Sequence, residues 1–222
     1  LSNNELSLAE KAYITLKEMI ITLKLKPGEV VSENEISKLL GIGRMPIREA
    51  FKRLESAALV SIIPRRGILI TEIKTDEIFL QLEVRAVLEE LIVKRACKYA
   101  TASERERLLQ LANQYEQATK DNDRFYAVQI DEQFNQLLGQ CSKNLFAWQA
   151  IVPFYALSQR IYFYHYESNE ELTLEINYAH IDLMKMIAAG EEKEAIQKLN
   201  CVLDYTENLI RRNMNTWLPA KE

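Results

Sequence analysis

Arg44, Arg48 and Lys52 stand four residues apart in GRMPIREAFKRLE, residues 43–55, with Arg53 beside them. In a helix that spacing lines three cations along one side, where like charges at i,i+4 cost roughly 0.2–0.5 kcal/mol per pair. A chain with a formal net charge of −4 has no general need of such a row. The row therefore implies an anion from outside. Arginine pairs bidentately with guanine O6 and N7, and lysine mostly meets phosphate. The basic charge is also local. Residues 1–72 carry 11 Lys+Arg against 9 Asp+Glu, the remainder carries 17 against 23, and residues 43–66 hold six basic side chains against two acidic. That is a focused anion-binding surface rather than a polyanion coat.

The elements that must hold this row can be read around it. Ala12, Leu16, Met19, Ile20 and Leu23 form one apolar stripe of a helix over about 8–23, stopped at Pro27-Gly28. Ser32, answered three residues later by Glu35, opens a second helix that ends at Gly41. Pro46 stands near the first turn of a third, whose buried face is Ile47, Ala50, Phe51 and Leu54. In LVSIIPRRGILIT, two β-branched runs at 60–63 and 68–71 flank a tip that carries Arg65 and Arg66. This reads as a hairpin with a basic tip. Three small helices and such a hairpin make a winged helix-turn-helix, with the third helix entering a major groove and the wing flanking it.

From Thr75 onward strand signals vanish. Helical patterns cover about 75–100, 103–119, 123–140, 144–166, 170–189 and 191–216, with a capping box at Thr101 and Glu104 and a stop at Gly190. Pro153 is expected to kink or break the fourth of these. The fold expected is mostly α: a winged helix-turn-helix at 1–73 and an all-α bundle at 74–222. Arg85, amid Leu82, Val84 and Val87, reads either as a fixed cation for an anionic ligand or as one half of an ion pair with Asp131 or Glu89. Aromatic walls for such a pocket are available at Tyr126, Phe134, Tyr155 and Tyr162, with His165 as packing or pocket lining.

Cys97, Cys141 and Cys201 are odd in number and lack C-x-x-C spacing, which fits buried free thiols in a reducing cytoplasm. No apolar run approaches the roughly 18–20 residues of a membrane span, and no signal peptide is evident. No H-E-x-x-H, G-x-S-x-G, P-loop or G-x-G-x-x-G occurs, so no catalytic residues are assigned and an enzyme is not expected. An all-α enzyme with a DNA-binding appendage, or a constitutive DNA-binding dimer without effector, are the rival readings.

The residues from Gly43 to Phe51, then Leu54-Glu55, resemble the signature of the GntR family of bacterial transcription regulators, S-R-T-P-V-R-E-A-L followed by L-E. PGEVVSENEISKLLGI before it and PRRGILIT after it extend the resemblance over residues 8–72. The resemblance implies that Arg44 and Arg48 contact DNA and that Glu33 and Asn34 lie near its backbone. Lys52, Arg53, Arg65 and Arg66 join the DNA-binding set, and Gly67 lets the wing approach the minor groove. Gly43 and Met45 replace a serine and a threonine, removing two hydroxyls, and Met45 is offered to a thymine methyl. The partner implied is a double-stranded, palindromic operator bound by a homodimer.

The rest of the chain resembles the FCD domain of the FadR subfamily, at Arg85-x-x-x-Glu89 and at AGEEKEA, residues 189–195. That resemblance implies a small organic acid as effector, gripped in many members by a divalent metal, zinc or nickel, on one aspartate and three histidines. This chain keeps Asp131 and His180 of that set. Asn135 stands where the first helix has its histidine, and Val202, beside Cys201 and Asn200, where the last one falls. The expectation is a metal-free pocket in which Arg85, Asp131, Asn135 and His180 bind the effector.

Overall fold

The Ser7 hydroxyl accepts the Glu10 amide at 3.1 Å and so opens α1, Leu8–Ile21, which buries Leu16 and Ile20 along one stripe. The computed structural model describes residues 6–165 and 170–215, with the side chains of 75, 76, 165 and 213–215 excepted. After α1 come β1 (Val30–Val31), α2 (Glu33–Leu40), α3 (Arg44–Ser56), β2 (Val60–Ile63) and β3 (Gly67–Ile70). The capping box at Ser32 is formed in both directions. Gly41, left-handed at φ 65°, ends α2 where a Cβ would be strained.

The three strands form an antiparallel sheet in the order β1-β3-β2, with Val31 opposite Ile68 and Val60 opposite Ile70. The sequence announces only the hairpin. β1 is two residues long and exists by pairing with a strand almost forty positions away, so no local pattern reveals it. Ile47, Phe51 and Leu54 of α3 pack with α1 and with Ile68 and Ile70 into one core.

Six helices follow: α4 (Thr75–Tyr99), α5 (Ala102–Lys120), α6 (Arg124–Ser142), α7 (Leu145–His165), α8 (Glu170–Ala189) and α9 (Glu192–Asn215). α8 packs on both α5 and α9, and α4 on α6 and α9. Arg105 staples two helix ends, donating to the Cys97 and Ala100 carbonyls of α4's end and to the Ile187 and Ala188 carbonyls of α8. These are orphan acceptors that a helix C-terminus leaves open. α7 runs through Pro153 as one element instead of breaking there.

The chain divides into two compact units. One is Leu1–Ile73 with Ala156–Tyr164, the other Lys74–Tyr155 with His165–Glu222. The second stretch of α7 thus falls with the N-terminal unit, where Ala156 joins its core. Arg160, fully buried, donates to Thr71 Oγ1 at 3.0 Å and to the Thr71 carbonyl, and burial lowers its pKa to about 10. Among the described residues no helix is long and apolar enough to cross a membrane. The cysteines are free thiols. Cys97 and Cys141 are buried and, chiefly by that burial, pushed up to about 11; Cys201, expected to be buried, is half-exposed.

Candidate functional site

α3 begins at Arg44, directly after Gly43, which lends it no side-chain cap. Arg44, Arg48 and Lys52 therefore fall on successive turns, and all three are exposed, as are Met45 and, at the start of α2, Asn34. Arg65 and Arg66 are exposed at the hairpin turn. Arg48 is held from the side: its Nε donates to Glu33 Oε1 at 2.9 Å and its Nη2 to Glu33 Oε2 at 2.8 Å. Those bonds to Arg48, helped by the charges of Arg44 and Lys52, hold the Glu33 carboxyl below the usual range.

Two members of the expected DNA-binding set also have structural roles within the unit. Arg53 turns to α1, where Nη1 donates to Glu10 at 2.6 Å and the guanidinium lies 3.8 Å over the Tyr13 ring. One position beyond Lys52, it sits about 100° further round the helix and braces the α1–α3 contact. Gly67 has φ 120°, and a Cβ there would lie 2.8 Å from the Val31 carbonyl oxygen. Its missing side chain lets β3 approach β1, a structural demand that is sufficient without any groove contact.

In the second unit a cluster of polar groups is buried. Arg85 Nε donates to Glu89 Oε1 at 2.8 Å, one turn along α4, so Glu89, one of the two ion-pair partners foreseen, is bonded to it. Burial opposes the Arg85 charge, but Glu89, Tyr155 and Asp131 together outweigh it and raise its pKa. The guanidinium lies 5.8 Å from the Tyr155 ring centroid. Tyr155 Oη is buried with no hydrogen-bond partner among the described residues. Burial, with the charges of Glu89 and Asp131, pushes that phenol well up against the opposing pull of Arg85.

Asp131 sits next in this cluster. Its Oδ2 accepts from Asn135 Nδ2 at 3.1 Å, and its Oδ1 lies 3.5 Å from His180 Nε2. His180 Nδ1 is 2.8 Å from the Ile176 carbonyl, and Nε2 is turned to Asp131, so both ring nitrogens face acceptors. The imidazole is boxed by Tyr115 and Phe134, with ring centroids 5.9 and 6.5 Å away. Of the aromatic walls foreseen, Phe134 and Tyr155 are present. Tyr126 is exposed, and Tyr162 belongs to the stretch of α7 that falls with the other unit. The side chain of His165 lies outside the described residues.

Residues 8–70 match the family described as bacterial regulatory proteins, gntR family, and residues 81–204, more than half of the chain, match the FCD domain. The chain belongs to the GntR family and carries an FCD domain. It is 28% identical over 182 residues to the HTH-type transcriptional repressor RspR of Escherichia coli strain K12, covering 80% of this chain and 78% of that protein. It is 26% identical over 180 residues to the Nta operon transcriptional regulator of Aminobacter aminovorans, covering 79% and 81%. The solved structure of E. coli McbR/YncC shares the fold, with a TM-score of 0.82 at 20% identity over 95% of this chain and 100% of that one. This GntR-family chain is thus a DNA-binding transcription regulator whose FCD domain is a metabolite-binding regulatory domain.

Within the family frame, the divalent metal implied by the FCD resemblance can be tested against the side chains present. Zinc and nickel take about three strong N, S or O donors from the protein. Asp131 and His180 supply two. Asn135 is a neutral amide bonded to Asp131, and Val202 is a buried hydrocarbon. Among the described residues no three His, Cys, Asp or Glu stand together to share an ion. The donor set does not fit a divalent metal. Spacing alone does not reveal pairing at a distance: Glu33, expected near the DNA backbone, also bonds Arg48, and Tyr155, expected as an apolar wall, also brings a hydroxyl. No spacing rule links residues 33 and 48 across a turn between helices.

Proposed function

We propose that this GntR-family regulator is a cytoplasmic homodimer that places two winged helices on a palindromic operator, and that a metabolite in the FCD domain modulates the affinity. In this reading residues 1–73 bind DNA, and residues 74–222 bind effector and pair the subunits. Arg44 and Arg48 read base edges, Lys52, Asn34, Arg65 and Arg66 meet phosphate or the adjoining groove, and Met45 abuts a base methyl. The protein has no catalytic role.

The observation that carries the reading is the exposed face of α3, with Arg44, Arg48 and Lys52 on successive turns and two arginines at the neighbouring hairpin turn. The effector reading is supported by the cluster of Arg85 and Asn135, both buried, with the half-buried Asp131 and His180, and by Tyr155 Oη beside them with no hydrogen-bond partner among the described residues. A small organic acid remains the class implied by family resemblance. Its carboxylate has Tyr155 Oη to bond, and it competes with Glu89 for Arg85. The pairing of subunits is supported by an apolar stripe on α4, Leu80, Val84, Val87 and Leu91, exposed at spacings that keep them on one face.

The test is to select bound duplexes from a randomised pool with the full-length protein, then to measure single-base variants of the winner. Palindromic winners with half-sites about one helical turn apart are expected. Arg48→Ala should erase discrimination at one base pair, a loss of about 1–3 kcal/mol, and Arg44→Ala should do so at another. Unchanged discrimination in both variants, with folding intact, overturns the assignment of α3 as the reading helix.

A further inference from the structure

Arg48 does not meet DNA as a bare cation. A guanidinium carries five N–H groups in one plane. Two of them, along the side-on edge, are taken by the two oxygens of Glu33 at 2.9 and 2.8 Å. The end-on edge, Nη1 with the second hydrogen of Nη2, is the fork that matches guanine O6 and N7. The side chain of Arg48 is 52% exposed and that of Glu33 27%, so the guanidinium stands forward and the carboxylate behind it. Glu33 is itself anchored. It occupies the first turn of α2, where the helix N-terminus favours a carboxylate, and the Ser32–Glu35 capping box fixes where that turn begins.

We infer that Glu33 is a specificity-determining residue of the DNA face: it holds Arg48 side-on, so that the end-on edge is offered to guanine, and it cancels the attraction of Arg48 for phosphate. This rests on the reading of Arg48 as a base reader. Two consequences separate it from a structural ion pair. A clamped arginine has less rotamer freedom to lose when it docks, so the gain from the right base is retained. A neutral pair adds nothing to binding that depends on backbone charge alone. Arg48 then contributes to choosing the site and not to holding any duplex. An ion pair this exposed adds little to fold stability, so its removal leaves the protein folded and the DNA readout interpretable.

The experiment uses the full chain and the operator selected as above, with Glu33→Gln, Glu33→Asp and Arg48→Ala. Each is measured against the operator, a duplex changed at the base pair read by Arg48, and an unrelated duplex, across a salt series. With Glu33→Gln, binding to the unrelated duplex should tighten and its log–log salt slope should steepen by about 0.9, the share of one uncompensated cation. The preference for guanine at that base pair should fall by about tenfold. Glu33→Asp keeps the charge on a shorter stem, so it should keep the salt slope of the parent and lose part of the preference.

If Glu33→Gln strengthens all duplexes equally and leaves the guanine preference intact, Glu33 is only a competitor for Arg48 and the inference is overturned. If it weakens all of them equally, Glu33 is a structural support and the inference is likewise overturned. Arg48→Ala tells the two levels apart. Should it leave guanine preference untouched, the reading of Arg48 itself has failed; should it abolish the preference while Glu33→Gln does not, the role of Glu33 alone has failed.

Discussion

A buried hydroxyl with no hydrogen-bond partner among the described residues is a defect in a core and an asset in a binding site. Tyr155 Oη is such a group, set beside Arg85, Glu89 and Asp131. Removing it breaks no hydrogen bond among the described residues, so Tyr155→Phe should change the stability of the free protein by less than about 1 kcal/mol in denaturant unfolding. The same substitution should shrink the thermal shift produced by whichever small organic acids stabilise the parent. Destabilisation by several kcal/mol would show that the hydroxyl is part of the core. The residue scale is also where the sequence was hardest to read. Arg48 and Arg53 are alike in type and five positions apart, yet one faces Glu33 and outward while the other faces Glu10 and Tyr13. Periodicity gives the angle between them, but the partners that decide their roles come from other helices.

Among the elements, the wing depends on a glycine for reasons of space. At φ 120° with the Val31 carbonyl oxygen 2.8 Å from where a Cβ would sit, Gly67 has neither the backbone freedom nor the room for a side chain. Gly67→Ala must push β1 and β3 apart, and it should destabilise the N-terminal unit by about 1–3 kcal/mol in chemical denaturation. If stability is unchanged and only DNA binding falls, the close approach of the strands is not what demands glycine there. The elements legible in the sequence were the ones with local causes. Ser32 with Glu35 and Thr101 with Glu104 start their helices by bonds spanning three residues. β1, the inclusion of Ala156–Tyr164 in the N-terminal unit and the stapling of two helix ends by Arg105 depend on contacts between distant positions. For the buried cluster, spacing placed Asp131 and Asn135 one turn apart on α6, but bringing His180 to them takes the packing of α8.

In the proposed dimer on a palindrome two copies of the reading helix are presented, and the exposed stripe of α4 is the surface we propose for the subunit contact. Leu80, Val84, Val87 and Leu91 face outward along one side of that helix, Val87 with 71% of its surface exposed. In that proposed dimer a two-fold axis brings the same stripe of both subunits together, so one substitution is felt twice. Burying a valine contributes roughly 1.5 kcal/mol, and Val87→Asp removes two such terms while setting two carboxylates near each other. The dimer dissociation constant should therefore rise by about a hundredfold or more, the equivalent of roughly 3 kcal/mol. Sedimentation velocity over a dilution series measures this directly. The variant should bind a single half-site as the parent does and lose the extra affinity of the full palindrome, because the linkage between half-sites, not the contact at each, has been cut. An unaltered dimer would place the subunit contact on another face and leave the α4 stripe without this role.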